Sequence, residues 1–186
     1  WEGKRSAAQI TEVKVLNEHG AKALGKPMGS YLTLEADKLL MPDEDFHSEV
    51  SDELALLLKG LLKQKTGKNI LVAGLGNQSV TPDSLGPRTV SNLCVSAEGL
   101  KAIAPGVMAQ TGMETARILL GIIKEVQSDL VIAIDALAAR SIRRLGTTIQ
   151  LTDTGIHPGS GVGNHRHSLT KETLGIPVLA IGVPTV

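Results

Sequence analysis

"NILVAGLGNQSVTPDSLGP", Asn69 to Pro87, decides how the rest of the chain is read. Its first seven residues are a short continuous apolar run bounded by turn residues, the pattern of a strand buried on both faces. The run delivers the chain to Gly74 and Gly76 and then to a turn-rich segment holding Asp83. A second run of the same kind, "DLVIAIDA", ends on Asp135, and "TGMETARILLGIIKEV" before it places Leu119, Ile122, Ile123 and Val126 on one helical face. "TTIQLT" and "PVLAIGV" read as two further strands. Strands alternating with helices predict a three-layer α/β domain with a largely parallel central sheet.

Upstream, Val50, Leu54, Leu57, Leu58, Leu61 and Leu62 recur at helical spacing, so a helix is expected there. Earlier still, residues 10–16 alternate in polarity and "YLTLEA" follows after the break "GAKALGKPMGS". These two strands predict an antiparallel N-terminal β extension. The 186 residues are expected to form a single domain.

Trp1, Tyr31 and Phe46 are the only aromatic residues, so the core beyond position 46 must be built from aliphatic side chains. Lys plus Arg and Asp plus Glu both total 19, with no long run of either sign, which gives no support for a nucleic-acid partner or an anionic membrane. Apolar stretches are interrupted well before the ~20 residues a membrane helix needs. Cys94 is the single cysteine, excluding an intrachain disulfide and a cysteine-rich zinc site and fitting a reducing, cytoplasmic setting. Its residue type suggests a small buried apolar side chain rather than a nucleophile.

In an open parallel sheet, ligands bind beyond the carboxyl ends of the strands. Asp83, Asp135, Asp153 and His157 all follow candidate strands, so they converge on one edge if those strands are parallel neighbours. Asp83 on residue type alone suits a turn or an N-cap. Asp135 lies between apolar runs, where a carboxylate needs a partner such as Arg140, a helix N-terminus or a shared proton. Were Asp83 and Asp135 to approach each other, they could share one proton and act as base and acid on a bound water.

Gly74 and Gly76 open like a dinucleotide loop. The third glycine of that fingerprint is replaced by Ser79, however, and no strand ending in an acidic residue follows at the required distance. Glycines that let backbone approach backbone are the better reading. The chain has no G-x-S-x-G elbow and no H-E-x-x-H. Gly155, Gly159, Gly161 and Gly163 imply a loop close to backbone or substrate. The pair His165 and His167 suits a solvated turn better than a metal site, and His157 is the better ligand or proton-shuttle candidate.

The stretches "GLGNQSVTPDSLGP", "APGVMAQTGMET", "VIAIDALAARSIRRLGTTIQLTDTGIHPGSGVGN" and "ETLGIPVLAIGVPTV", with "VKVLNEHGAKALGKPMGSYLTLEA" upstream, resemble the bacterial spore germination protease family. The resemblance runs from about Val13 to the last residue. It implies an endopeptidase that degrades small acid-soluble spore proteins in the spore core, made as a zymogen and assembled as a homotetramer. It further implies a fold similar to that of hydrogenase maturation proteases and an atypical aspartic mechanism without a cofactor. The two aspartates of that mechanism fall on Asp83, in "TPDSLGP", and Asp135, in "IDALAAR". Thr81, Asp153 and His157 are secondary candidates for positioning. A metal-dependent peptidase with Asp83, Asp135 and His157 as ligands stays open, and a nucleotide-binding module stays as a lesser alternative. Against the family pattern, "NLCVSAEGLKAIAPG" is short, and a propeptide before the chain and a segment after "VPTV" are expected.

Overall fold

The computed structural model describes residues 7–63, 69–96, 98–158 and 167–186. Among these residues seven strands form one sheet: β1 (Gln9–Val15), β2 (Gly29–Glu35), β3 (Ile70–Gly74), β4 (Leu100–Ile103), β5 (Leu130–Leu137), β6 (Thr148–Thr152) and β7 (Val178–Pro184). Their order across the sheet is β1-β2-β6-β7-β5-β3-β4. β4, β3, β5 and β7 pair in parallel. β6 then runs antiparallel to β7, β2 antiparallel to β6, and β1 antiparallel to β2. The expected N-terminal hairpin exists, and β6 joins it to the main sheet.

The parallel block is the part that its sequence writes most plainly. β3 and the first six residues of β5 are buried on both faces apart from the half-buried Ile70, as continuous aliphatic runs require. Alternate residues feed two cores. Val72, Ile132 and Ile134 pack with Val50 and Leu61 of α2 (Glu44–Leu62) on one face. Leu71, Ala73, Val131 and Ala133 pack with Ala116, Leu119 and Ile123 of α5 (Thr115–Val126) and Leu174 of α6 (Lys171–Leu174) on the other. The result is helix, sheet, helix, the expected three layers.

Both long helices appear where periodicity places them. α2 begins at Asp43, whose carboxylate accepts the Phe46 N–H at 3.0 Å and satisfies one of the free donors of the first turn. α5 ends at Gln127, held in the left-handed conformation with φ 54°. Three short helices, α1 (Glu18–Leu24), α3 (Leu85–Ser91) and α4 (Met108–Thr111), and two 3-10 turns, Thr81–Asp83 and Ile142–Arg144, complete the described fold. Among the described residues no helix is long and apolar enough to cross a membrane.

Candidate active site

The carboxyl ends of β3 and β5 lie side by side, with Gly74 opposite Ile134 and the Leu75 N–H donating to the Ile134 carbonyl at 2.8 Å. Asp135 is therefore the residue beside Leu75. By the pleat it shares a face with Val131 and Ala133, on the α5 side. It is only 5% exposed, and its Oδ1 accepts the Ala136 N–H at 3.0 Å.

Asp83 reaches the same end of the sheet from β3. The chain leaves Gly74, turns through residues 75–80, and forms a 3-10 turn over Thr81–Asp83 that touches β5 before α3 begins. Three glycines make that path possible. A methyl group on Gly74 would collide with the Gly86 carbonyl, and one on Gly86 would collide with the backbone of Leu75 and Ile134. Gly76 sits at φ 115°, and a methyl group there would collide with the Asp83 carbonyl and lie 3.1 Å from its Oδ1. The space beside Gly74 and Gly76 is thus filled by this chain's own backbone. The glycine pair packs the loop down instead of leaving room for a phosphate, which removes the basis of the nucleotide-loop reading.

The Asp83 carboxylate is fixed by its own loop. Its Oδ2 accepts the Asn77 N–H at 2.7 Å, a charge-assisted bond of the stronger kind. The Asn77 side-chain carbonyl in turn accepts the Ser79 N–H and the Gln110 amide, at 3.0 and 2.9 Å, tying the loop to α4. From the other side, the Thr185 hydroxyl just past β7 donates to the Pro82 carbonyl at 2.6 Å. Thr81 is exposed, and its carbonyl accepts the Ser84 hydroxyl at 2.8 Å. Asn77, Gly86, Gln110 and Thr185 were not singled out in the sequence. Their contribution depends on contacts across the chain, and only the Gly-Pro pair at 86–87 carries a local signal.

Asp153 and His157 do not join Asp83 and Asp135. Both follow β6, and β6 runs opposite to β3, β5 and β7, so its carboxyl end faces the amino end of the parallel block. Thr152 pairs with Ala180, which pairs with Ala133, two residues before Asp135. With ~3.3 Å per residue and ~4.8 Å per strand, Asp153 lies about 14 Å from Asp135. There its Oδ1 accepts the Ser30 N–H at 2.8 Å and anchors the start of β2. His157 is exposed in the segment after β6.

The metal trio of Asp83, Asp135 and His157 is accordingly not assembled, and no group of three His, Cys, Asp or Glu suited to a metal occurs among the described residues. His165 and the glycines at 159, 161 and 163 lie outside the described residues. His167 is exposed, with Nδ1 3.5 Å from Glu114 Oε2. Cys94 is exposed as well, contrary to the burial its residue type suggested. Its thiol is held below the usual range by the Ser96 hydroxyl, 3.0 Å away.

Comparison with known proteins gives this geometry a context. The germination protease family is matched over residues 2–186. The chain belongs to the germination protease family. Among curated members, the germination protease of Caldanaerobacter subterraneus subsp. tengcongensis is 51% identical over 96% of this chain and 59% of its own length. That of a Geobacillus species is 49% identical over 96% and 52%, and that of Clostridium perfringens 44% identical over 96% and 59%. The chain thus spans between half and three-fifths of the length of these relatives. The match to the Bacillus velezensis member covers the whole chain yet runs to 203 aligned positions against 186 residues, so relatives in the family carry residues that have no counterpart here. A solved [NiFe] hydrogenase maturation protease, HycI from Thermococcus kodakarensis KOD1, is similar over 69% of this chain and 80% of its own, with 19% identity and a TM-score of 0.42.

Proposed function

We propose that this chain carries the catalytic part of a germination endopeptidase that hydrolyses small acid-soluble spore proteins in the spore core, with Asp83 and Asp135 as its proton-handling pair. The observation that carries the reading is the delivery of two aspartates, from the ends of adjacent parallel strands, to one crest of the sheet. Family membership supplies the reaction class, and the crest supplies two carboxylates where such folds bind their substrates.

The division of labour follows from their settings. Asp83 is half-buried and already accepts a backbone N–H through Oδ2, which fixes the direction of its other oxygen. Such a carboxylate suits the base that takes a proton from water. In this reading Asp135, nearly enclosed and bordering β7, is the acid that delivers a proton to the leaving amide nitrogen. Water attacks the carbonyl carbon, Asp83 receives the water proton, and Asp135 protonates nitrogen as the C–N bond breaks. Thr81, exposed on the same 3-10 turn, is placed to meet the substrate backbone. Asp153 is withdrawn from the reaction and becomes a structural anchor, since its carboxylate is spent on Ser30.

Zymogen control and a homotetramer belong to the same proposal and rest on family membership. The test is cleavage of a purified small acid-soluble spore protein by the full-length protein and its Asp135→Asn variant. Loss of cleavage with an unchanged melting temperature supports the assignment; full activity in the variant removes Asp135 from the mechanism.

A further inference from the structure

In the proposed hydrolysis one charge is left without a partner. As water adds to the carbonyl carbon, the π pair of the C=O bond moves onto oxygen. Asp83 takes the water proton and Asp135 holds its own for nitrogen, so neither carboxyl group meets the new oxyanion. Such a charge is stabilised by fixed donors about 2.7–3.1 Å from the oxygen, aimed before the reaction begins. The hydroxyls nearest the Asp83 turn are already spent, that of Thr185 on the Pro82 carbonyl and that of Ser84 on the Thr81 carbonyl.

Asn77 is placed and oriented differently. Its main-chain N–H lies 2.7 Å from Asp83 Oδ2, which seats the residue against the carboxylate. Its side-chain Oδ1 accepts two hydrogens, from the Ser79 N–H at 3.0 Å and from Gln110 Nε2 at 2.9 Å. A main-chain N–H can only donate, so the atom facing Ser79 must be the oxygen, and the amide nitrogen occupies the other arm. Gln110 is oriented by the same logic: its Oε1 accepts the Val107 N–H at 3.3 Å, which leaves Nε2 for Asn77. Asn77 is half-buried, and among the described residues neither hydrogen of its Nδ2 has an acceptor.

We propose that Asn77 is a catalytic residue of this site, its Nδ2 donating to the oxyanion of the tetrahedral intermediate. The inference rests on the peptidase reading and adds a third group to the two aspartates. A water held about 2.8 Å from Asp83 and an oxyanion about 2.9 Å from its donor put that donor within a residue's breadth of the carboxylate, where Asn77 stands. The amide is neutral, so it steadies charge on oxygen without competing for the proton that Asp83 receives or the one that Asp135 delivers. When the intermediate collapses, the electron pair returns from oxygen, the C–N bond breaks, and nitrogen takes the Asp135 proton. The loop after β3 thereby serves the reaction twice, placing Asp83 and presenting Asn77, and Gln110 of α4 holds Asn77 in position.

Two variants of the full-length protein test it on a purified small acid-soluble spore protein. Asn77→Asp keeps an oxygen for Ser79 and Gln110 and the main-chain N–H for Asp83, and loses the amide hydrogens. Asn77→Ser is uncharged and keeps a hydroxyl acceptor for the Ser79 N–H, on a side chain too short to reach a substrate carbonyl. Both are expected to lower kcat about 10²-fold, with KM within about 2-fold of wild type and the melting temperature unchanged. A phosphinic peptide built on the sequence around the cut bond, whose charged oxygen stands in for the oxyanion, should bind each variant about 10²-fold more weakly. An asparagine that only shapes the loop would leave Asn77→Asp at wild-type rate and phosphinate affinity. That result overturns the proposal, as does a loss confined to the charged variant. Full rate in Asp83→Asn and Asp135→Asn beside a loss in both Asn77 variants sinks the aspartate pair and keeps Asn77. If wild-type protein leaves the spore protein intact, casein serves as substrate and its cut sites as the template for the phosphinate. The same outcomes then decide, and no cleavage of either protein overturns the proposal.

Discussion

Two ends of one sheet receive aspartates in this protein, and they use them differently. At the carboxyl end of the parallel block, β3 and β5 deliver Asp83 and Asp135 to one crest, where three glycines press the intervening loop onto the strand ends. At the opposite end, the antiparallel β6 delivers Asp153, whose carboxylate stitches the start of β2 through Ser30. The residue type and its place at or just beyond the carboxyl end of a strand are the same in both cases. Strand direction alone separates the proposed site of chemistry from a structural clamp.

This contrast can be broken by substitution. Asp135→Asn, which keeps shape and removes the proton-transfer group, is expected to lower kcat about 10²- to 10⁴-fold on a spore protein substrate without changing the melting temperature. Gly86→Ala places a methyl group among the backbone atoms of Leu75 and Ile134, which cannot move aside as a side chain can. It should cost about 3 kcal/mol in urea unfolding and lower activity through displacement of the Asp83 turn. A Gly86→Ala variant as stable and active as wild type would show that the crest does not depend on this close approach.

Asp153→Ala sharpens the comparison from the other end. It removes the acceptor for Ser30 N–H, and about 1–2 kcal/mol of stability should be lost while kcat/KM of the remaining folded protein is kept. A drop in kcat comparable to that of Asp135→Asn would put Asp153 back in the reaction. The smallest effect is expected at Cys94. Its thiol ionises below the usual range because Ser96 bonds the thiolate, so alkylation by iodoacetamide proceeds at lower pH than for a free cysteine peptide. Ser96→Ala moves that pH dependence upward; proteolysis stays unchanged in Cys94→Ser, which sits outside both ends of the comparison.

Much of this was legible in the sequence because burial on two faces leaves a simple trace. "ILVAG" and "LVIAI" can hardly be anything but central strands, and the leucines of α2 and the aliphatic stripe of α5 carry their period openly. Both aspartates of the crest follow from those strands. Strand direction leaves no such trace: "TIQLT" reads alike whether it runs parallel or antiparallel to its neighbour. A clue lies in the connection. Only ten residues, 138–147, join β5 to β6, they contain a single 3-10 turn, and a parallel return needs a longer crossover, usually helical.

The remaining misses have local causes. α1 is capped by Asn17, whose side chain accepts the Gly20 N–H, and stopped by Gly25, but it buries none of its seven residues and so shows no apolar stripe. α3 hides behind "SLGP", where glycine and proline in the first turn imitate a loop although proline is tolerated there. β4 is a four-residue edge strand, too short for its pattern to be distinguished from loop.

The central claim is that Asp83 and Asp135 act on one water as a unit, and a double-variant cycle tests it most directly. Cleavage rates are measured for Asp83→Asn, Asp135→Asn and the two combined. Groups that work as one machine are non-additive, so the double variant should be no more than about 10-fold slower than the slower single variant. Rate losses that multiply, each aspartate costing its full factor in the absence of the other, would contradict a shared catalytic step.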